Sequence, residues 1–284
     1  MLLTEDRWLE LRAAHERRVD AWLEPHLARR RRGEAHPVED FLFTYYSFRP
    51  AQLRRWHPGY GVVLAGSQAL EYLRLRGYVQ TPDGVTAEVG RPDSVRWIYD
   101  LLVATHSRPV FTGCLGLHEW AMVYRSRQPR HSSWPLRLGA EGTDRVVESH
   151  RIRCSHHDAF RFFTDAAVPR NSLQPSRDTQ LLLEQPGCLH ANMDLFKWAY
   201  KLTPLVPAEL TADCFELARA IREVDMRASP YDLTGLGCEP IEIETAAGKA
   251  TYIELQRAFS ERAQPLRSRL IESCDSALST LDRV

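Results

Sequence analysis

The sequence predicts a mainly α-helical protein, a single helical domain with a small β-hairpin or strand component. Long segments carry apolar residues at helical spacing, segments of β type are short, and neither an internal repeat nor a low-complexity linker divides the 284 residues. A chain of this length fits one large domain. We expect residues 1–284 to form it, with N-terminal helices and a hairpin in 1–110, a candidate active-site core in 111–203 and C-terminal helices in 204–284.

The N-terminal part begins with an amphipathic segment from Thr4 to about Arg31. Its apolar side chains recur at helical spacing, and four consecutive arginines followed by Gly33 are typical of a helix C-terminus. Further along the chain, the segment from Gly77 to Val89 predicts a β-hairpin that turns at Pro82-Asp-Gly. We therefore expect one long helix first and a hairpin after it.

The C-terminal part contains the most regular amphipathic pattern of the chain. Its apolar residues follow one another at alternating steps of four and three, which predicts a helix carrying Leu210, Cys214, Leu217, Ile221 and Val224. We expect a short strand from Ile241 to Thr245. A last helical region follows, and we expect Pro265 to break it in two, because proline lacks the N–H group that a helix interior requires.

Composition bounds the class of protein. No run approaches the ~18 consecutive apolar residues of a membrane-spanning helix, and the N-terminus turns amphipathic at once, unlike a signal peptide. The six cysteines are scattered without a CxxC pair, which favours a reduced chain over a disulfide framework or a cysteine-rich zinc site. We therefore expect a soluble, cytoplasmic protein with no membrane partner.

Charge is balanced overall but uneven along the chain. The 37 basic and 37 acidic residues cancel, yet arginines outnumber acids between Arg125 and Arg177, and the part after Pro204 is acidic. The basic middle would suit a local anion-binding face. The alternative explanation is that the chain as a whole is rich in arginine and that these arginines bind no ligand.

The first polar cluster lies between Phe111 and Arg125. The chain from 115 to 123 is apolar on every side of a helix except at His118 and Glu119, and a helix that is apolar all round is normally buried. A buried histidine and glutamate need hydrogen bonds, opposite charges or a ligand to offset their lost hydration. They are therefore either functional residues or a structural pair that closes a network in the core.

The second cluster contains His156, His157 and Asp158. Ser155, followed three residues later by Asp158, resembles a capping box, which would explain the aspartate as local structure alone. The two histidines would then lie in the first turn of a helix, beside the positive end of its dipole. That position favours the neutral imidazole, the form that binds metals.

The third cluster follows the turn at Pro186-Gly187. His190, Asp194, Lys197 and Lys201 fall at i, i+4, i+7 and i+11, so that they share one face of an otherwise apolar helix. This polar stripe either faces solvent or lines a site. A plain surface pair of Asp194 with Lys197 would contribute under ~1 kcal/mol. The segment from Asp225 to Asp232, a helix end that runs into a polar turn, is a lesser signal and is more often structural.

Two kinds of chemistry fit these clusters. In one, histidines and carboxylates from three helices bind a divalent metal such as iron, manganese or zinc, with the candidate ligands His118, Glu119, His156, His157, His190 and Asp194. The absence of HExxH and of paired ExxH motifs counts against it. In the other, no cofactor is required, and a carboxylate activates water beside an aromatic pocket. That arrangement would suffice to hydrolyse the N-glycosidic bond of an alkylated purine that has been extruded from DNA.

Five long segments resemble those of a bacterial, chiefly actinobacterial, group labelled 3-methyladenine DNA glycosylase. They are HPVEDFLFTYYSFRPAQLRRWHPG, FTGCLGLHEWAMVYR, HRIRCSHHDAFRFF, EQPGCLHANMDLFKWAYKL and DMRASPYDL, and the similarity covers nearly the whole chain. The resemblance implies membership of that group and excision of alkylated purines such as 3-methyladenine from damaged DNA. The chain lacks the glycine-rich helix–hairpin–helix turn with its downstream aspartate that other glycosylases carry.

We therefore predict a DNA glycosylase first. The catalytic carboxylate would be Glu119, then Asp158, then Asp194, with His118 beside it, and the substrate would contact Trp120, Tyr124, Arg153, Phe160, Lys197 and Trp198. A metal-dependent enzyme acting on a small molecule is the first alternative. A non-catalytic nucleic-acid-binding protein is the second, and it would show salt-sensitive DNA affinity without turnover.

Overall fold

The computed structural model of the protein describes residues 1–126 and 133–281, and 58% of the chain is helical, which confirms the mainly α fold. The chain forms two compact units. The first contains Met1–Val103, Asp194–Arg219 and Pro265–Val284, and the second contains Ala104–Met193 and Ala220–Gln264. The expectation of a single domain stays a prediction.

The helices extend through both units. In chain order they are α1 (Glu5–Arg31), α2 (Phe41–Tyr45), α3 (Pro50–Arg54), α4 (Pro92–His106), α5 (Leu117–Ala121), α6 (Gly139–Ser149), α7 (His157–Phe160), α8 (Gln180–Leu183), α9 (Leu189–Lys201), α10 (Ala208–Arg227) and α11 (Ala246–Leu281). Single turns of 3-10 helix lie at Val168–Arg170 and Thr234–Leu236, and a longer one at Ser67–Arg74. Among the residues described, none of the helices combines the length and the apolar character that crossing a bilayer requires.

A small sheet belongs to the first unit. Its strands are β1 (Leu2–Leu3), β2 (Val63–Leu64), β3 (Tyr78–Thr81) and β4 (Gly84–Ala87), in the order β1-β2-β4-β3. β1 pairs with β2 in parallel, and the other pairings are antiparallel. β3 and β4 are the predicted hairpin, which is thereby confirmed.

Gly84 is required at the start of β4. Its φ is +145°, a conformation that L side chains rarely adopt, and a Cβ there would collide with the carbonyl oxygen of Leu64 on β2. Glycine therefore permits the close approach of the two strands.

Aromatic side chains fill the core of the first unit. Trp8 of α1 stacks on Trp56 with ring centroids 6.4 Å apart, and Tyr72 meets Trp8 edge-on at 5.9 Å. The indole N–H of Trp8 donates to the carbonyl of Ala65 at 2.9 Å, which ties α1 to the segment after β2. α1 begins at Glu5 and ends at Arg31, as its apolar periodicity predicts.

The predicted break of the last helix at Pro265 is wrong. α11 runs without interruption from Ala246 to Leu281, with Pro265 inside it. A proline in a helix interior removes one hydrogen bond and costs about 3 kcal/mol. Buried positions on both sides, including the fully buried Ala263 and Arg267, indicate that tertiary packing offsets that cost. α1 likewise contains Pro25.

The predicted strand from Ile241 to Thr245 is also wrong. The segment is a turn in which the N–H of Ile243 donates to the carbonyl of Ile241 at 2.9 Å, and that of Thr245 to Glu242 at 2.8 Å. Ile241 and Ile243 are both buried, so buried and exposed residues alternate as they do in a strand. The backbone of this segment, however, pairs with no strand in the part of the chain that the structure describes. Burial of every second residue in a turn produced the misleading pattern.

Candidate metal centre

α5 holds the first two residues of the site. This short helix follows Gly116, whose φ of +68° reverses the chain, and all five of its residues are buried. His118 and Glu119 are 2% and 5% exposed. Because neighbouring helical positions point in different directions, each side chain meets its own partner within the second unit.

The partners lie at the end of α10, more than a hundred residues away in the sequence. The Arg222 guanidinium donates from Nη1 to Glu119 Oε1 at 3.1 Å and to Asp225 Oδ2 at 3.0 Å. The other oxygen of the aspartate, Oδ1, is 3.0 Å from Nε2 of His118. Arg222 and Asp225 are 1% and 0% exposed, so a buried series of contacts runs from Glu119 through Arg222 and Asp225 to His118.

His190, in the first turn of α9, completes the cluster. Its ring lies edge-on to that of His118, with centroids 4.4 Å apart and planes at 89°. One ligand atom each from His118, His190 and Asp225 lies within 4.8 Å of the other two. The three groups lie in the interior, and His190, taken as a whole residue, is the least buried of them.

The contact between His118 and Asp225 is an ion pair in distance but not a hydrogen bond in direction. Nε2 and Oδ1 are 3.0 Å apart and buried, yet neither atom makes a hydrogen bond of acceptable alignment. Two atoms that bind one zinc-like ion at about 2.1 Å, at tetrahedral or right angles, are about 3.0–3.4 Å apart. The separation of 3.0 Å is that of two ligands directed at a common point.

Electrostatics couple His118 to Asp225. Burial alone would lower the pKa of His118, but the charge of Asp225 and the contacts with Asp225 and Cys114 together outweigh burial and raise the pKa well above its ordinary value. Burial alone would raise the pKa of Asp225, but the charges of His118, His190 and Arg222 outweigh burial and lower it. Without a metal, the structure thus favours a protonated His118 beside an ionised Asp225, and a bound cation would replace that proton.

Thiols and a phenol surround the cluster. Cys114 Sγ is 4.0 Å from Nδ1 of His118, the ring nitrogen that does not face Asp225. Burial, followed by the charges of neighbouring thiols, raises the pKa of Cys154 and of Cys188. Burial is also the largest cause that raises the pKa of Tyr252, whose hydroxyl packs near Gly116. These neutral groups lower the polarity around the charged residues.

No protein-family model, curated protein or solved structure matches the chain. The resemblance to the group labelled 3-methyladenine DNA glycosylase therefore stays a prediction. The function has to be inferred from the geometry of the site itself.

The second predicted cluster lies beside the site but is built differently from the expected capping box. His156, not Ser155, is the N-cap of α7, and its Nδ1 accepts a hydrogen bond from the N–H of Ala159 at 3.2 Å. Because Nδ1 is an acceptor, the neutral ring carries its proton on Nε2. The ring centroid is 5.3 Å from that of His190. His156 therefore borders the three ligand atoms without belonging to them.

The other two members of that cluster lie further out. Asp158 forms an ion pair with Arg161, one turn along α7, at 3.4 Å. His157 is partly exposed. Neither residue supplies an atom to the group formed by His118, His190 and Asp225.

Asp194 belongs to the first unit. Its Oδ1 accepts from the hydroxyl of Tyr46 at 2.8 Å, and its Oδ2 accepts from Nζ of Lys197 at 3.0 Å. The aspartate is 2% exposed, so this is a buried pair and not the plain surface pair that the sequence also allowed. The ammonium of Lys197 lies 4.7 Å from the ring centre of Trp198.

The remaining residues predicted to contact substrate lie in the second unit, Trp120 and Tyr124 buried and Arg153 exposed. Trp120 is fully buried and donates from Nε1 to the carbonyl of Ala228 at 2.9 Å. Tyr124, 1% exposed, donates from its hydroxyl to Glu148 at 2.8 Å. Phe160 packs on Phe163 with centroids 5.0 Å apart, and the guanidinium of Arg153 covers the ring of Phe111 at 4.5 Å.

Asp225 and Arg222 are the site residues that the sequence interpretation did not select. Asp225 falls four residues after Ile221 and eight after Leu217, on the apolar face of α10. Arg222 precedes it by three residues, so both side chains lie on neighbouring faces of the helix. An acidic residue in register with an apolar stripe is the signal that would have marked Asp225 as buried and in need of partners.

Proposed function

We propose that the protein is a metal-dependent enzyme that acts on a small molecule and binds one divalent transition-metal ion through His118, His190 and Asp225. The observation that supports this function is the convergence of two imidazoles and one carboxylate from three helices, with ligand atoms within 4.8 Å of one another. Two of those atoms, Nε2 of His118 and Oδ1 of Asp225, are 3.0 Å apart, as two ligands of one ion would be.

The chemistry of the donor set favours a catalytic over a structural metal. Three protein ligands leave positions open for water or substrate, whereas structural zinc sites are closed by four ligands. Two histidines with one carboxylate suit iron, manganese or zinc, and this set is typical of sites that activate water or dioxygen. An oxidase or a hydrolase is therefore the class of reaction that we propose.

The charges around the site are compatible with a divalent cation. The carboxylates of Asp225 and Glu119 contribute two negative charges and the guanidinium of Arg222 one positive charge, and histidines that bind a metal are neutral, which leaves a net charge of −1. A divalent ion would bring the buried group to +1. An anionic ligand such as hydroxide or a substrate carboxylate would then complete the balance, because an uncompensated buried charge is costly.

Metal content of the purified protein tests this function. The full chain is expressed without a His-tag, and its bound metals are measured by mass spectrometry with inductively coupled plasma. We expect about one equivalent of iron, manganese or zinc in the wild type, as three protein ligands would hold. His190→Ala should lose the metal, and His157→Ala, the matched histidine outside the group, should keep it. A wild type that stays metal-free after incubation with all three ions would contradict the proposal.

We further infer that the protein works in the cytoplasm. The support is its cysteine chemistry: all six cysteines are free, and five of them are buried. Disulfides are rare in reducing compartments, so a chain with six unpaired thiols suits one. Purified under non-reducing conditions and denatured, the protein should yield six titratable thiols with Ellman's reagent.

A further inference from the structure

We propose that Arg222 and Glu119 are positioning residues that fix Asp225 as a one-oxygen ligand of the metal ion. This inference rests on the proposed function, since it concerns how the same site holds its cation. Neither residue is a ligand in the proposal. Both act through the carboxylate of Asp225.

The first step is geometric. Arg222 and Asp225 are one turn apart on α10, and Nη1 of the arginine donates to Oδ2 of the aspartate at 3.0 Å. That oxygen is therefore engaged. Rotation of the carboxylate is blocked, and Oδ1 is left 3.0 Å from Nε2 of His118. A carboxylate held in this way presents a single oxygen to the ion.

The second step concerns charge. The same Nη1 also donates to Glu119 Oε1 at 3.1 Å, so that two carboxylates share one guanidinium. If Glu119 were neutral, the positive charge of Arg222 would act on Asp225 alone. It would then reduce the attraction of that carboxylate for a second cation. In a buried site the effect is large, because the screening by water is weak.

The third step concerns the contacts between helices α5 and α10. His118 and Glu119 are neighbours on α5, and each contacts one of the two α10 residues. These contacts therefore fix the position of the ligand His118 relative to the ligand Asp225. Outer-shell partners of metal ligands typically contribute 10–100-fold to metal affinity. We expect Glu119 and Arg222 to contribute in that range.

Cobalt(II) is the probe for the test, because its visible absorption reports the number of ligands while chelator competition reports the affinity. The full chain is compared with Glu119→Gln and Arg222→Lys. The glutamine keeps an oxygen that accepts from Arg222 but loses the charge. The lysine keeps the charge, but its side chain is one bond shorter, so its ammonium would not reach both carboxylates. Glu244→Gln is the control, because Glu244 pairs with Arg137 at 3.0 and 3.1 Å, less deeply buried, elsewhere in the same unit.

The proposal predicts a 10–100-fold higher cobalt Kd in Glu119→Gln, with the visible spectrum retained. Arg222→Lys should weaken the visible bands. Without the hydrogen bond from Nη1 of Arg222, the carboxylate of Asp225 would bind the ion with both oxygens, and cobalt(II) absorbs more weakly when its coordination number rises. Glu244→Gln should match the wild type. If Arg222→Lys does not fold, Glu119→Gln decides.

Failure of this inference can be told from failure of the proposed function. A wild type that binds no cobalt overturns the metal site itself. A wild type that binds cobalt while Glu119→Gln stays within threefold of its Kd overturns the positioning role alone. So does an equal loss of affinity in Glu244→Gln, since the effect would then come from general destabilisation.

Discussion

Because of His57, the free energy of unfolding should begin to decrease as the pH falls below about 6.5, before the carboxylates titrate. The side chain is 8% exposed, and its Nδ1 lies 2.8 Å from the hydroxyl of Tyr78. Burial, followed by the charges of Arg55 and His15, lowers its pKa to about 3. The folded protein therefore keeps this imidazole neutral in mildly acidic solution.

The magnitude follows from the two pKa values. In the unfolded chain the histidine titrates near 6.5, so below that pH only the unfolded state takes up the proton. The stability contributed by neutral His57 is complete above about pH 6.5 and is lost as the pH falls toward the folded value of about 3. Between pH 7 and 5 the free energy of unfolding should drop by about 2 kcal/mol from this group alone, at about 1.4 kcal/mol per pH unit.

Urea denaturation at several pH values between 7.5 and 4.5 measures the effect. His57→Asn is the matched variant, because its side-chain oxygen takes the place of Nδ1 and accepts from Tyr78 without titrating. The difference between wild type and variant isolates this histidine from other titrating groups. If the difference in unfolding free energy is the same at pH 7 and pH 5, the reasoning is refuted.

Three further predictions concern the fold and the predicted substrate. Asp40→Asn should destabilise the protein by about 1.5–3 kcal/mol in urea denaturation, because it removes the charged acceptor of Arg29; an unchanged midpoint would contradict this. Gly84→Ala should cost more than about 1 kcal/mol, since its Cβ would meet Leu64, and a wild-type melting temperature would exclude the clash. If the family resemblance extends to the excision of alkylated purines, the wild type should produce abasic sites in methylated duplex DNA and Glu119→Gln should not. DNA affinity that falls with salt, without product, would indicate a binding protein instead.

Periodicity predicted the elements whose residues are close in sequence. α1 and α10 follow from apolar steps of three and four, and the hairpin from two short segments around Pro82-Asp-Gly. The two errors, at Ile241–Thr245 and at Pro265, arise where tertiary packing decides the backbone. Local patterns contain no information about that packing.

The site shows the same division. The sequence marks His118 and Glu119 as buried polar residues, because an apolar pattern surrounds them, and it places His190 on a polar stripe. It does not show that Arg222, 103 residues after Glu119, would supply the charge that this glutamate needs. Convergence over that distance depends on the packing of α5 against α10, which no single segment encodes.

An anomalous diffraction experiment on crystals of the untagged protein tests the metal centre most directly. Data collected above and below the absorption edges of iron, manganese and zinc would locate and identify a bound ion. The account predicts one peak about 2.0–2.2 Å from Nε2 of His118, a ring nitrogen of His190 and Oδ1 of Asp225. A map without such a peak, from crystals soaked in all three metals, with His118 hydrogen-bonded directly to Asp225, would contradict it.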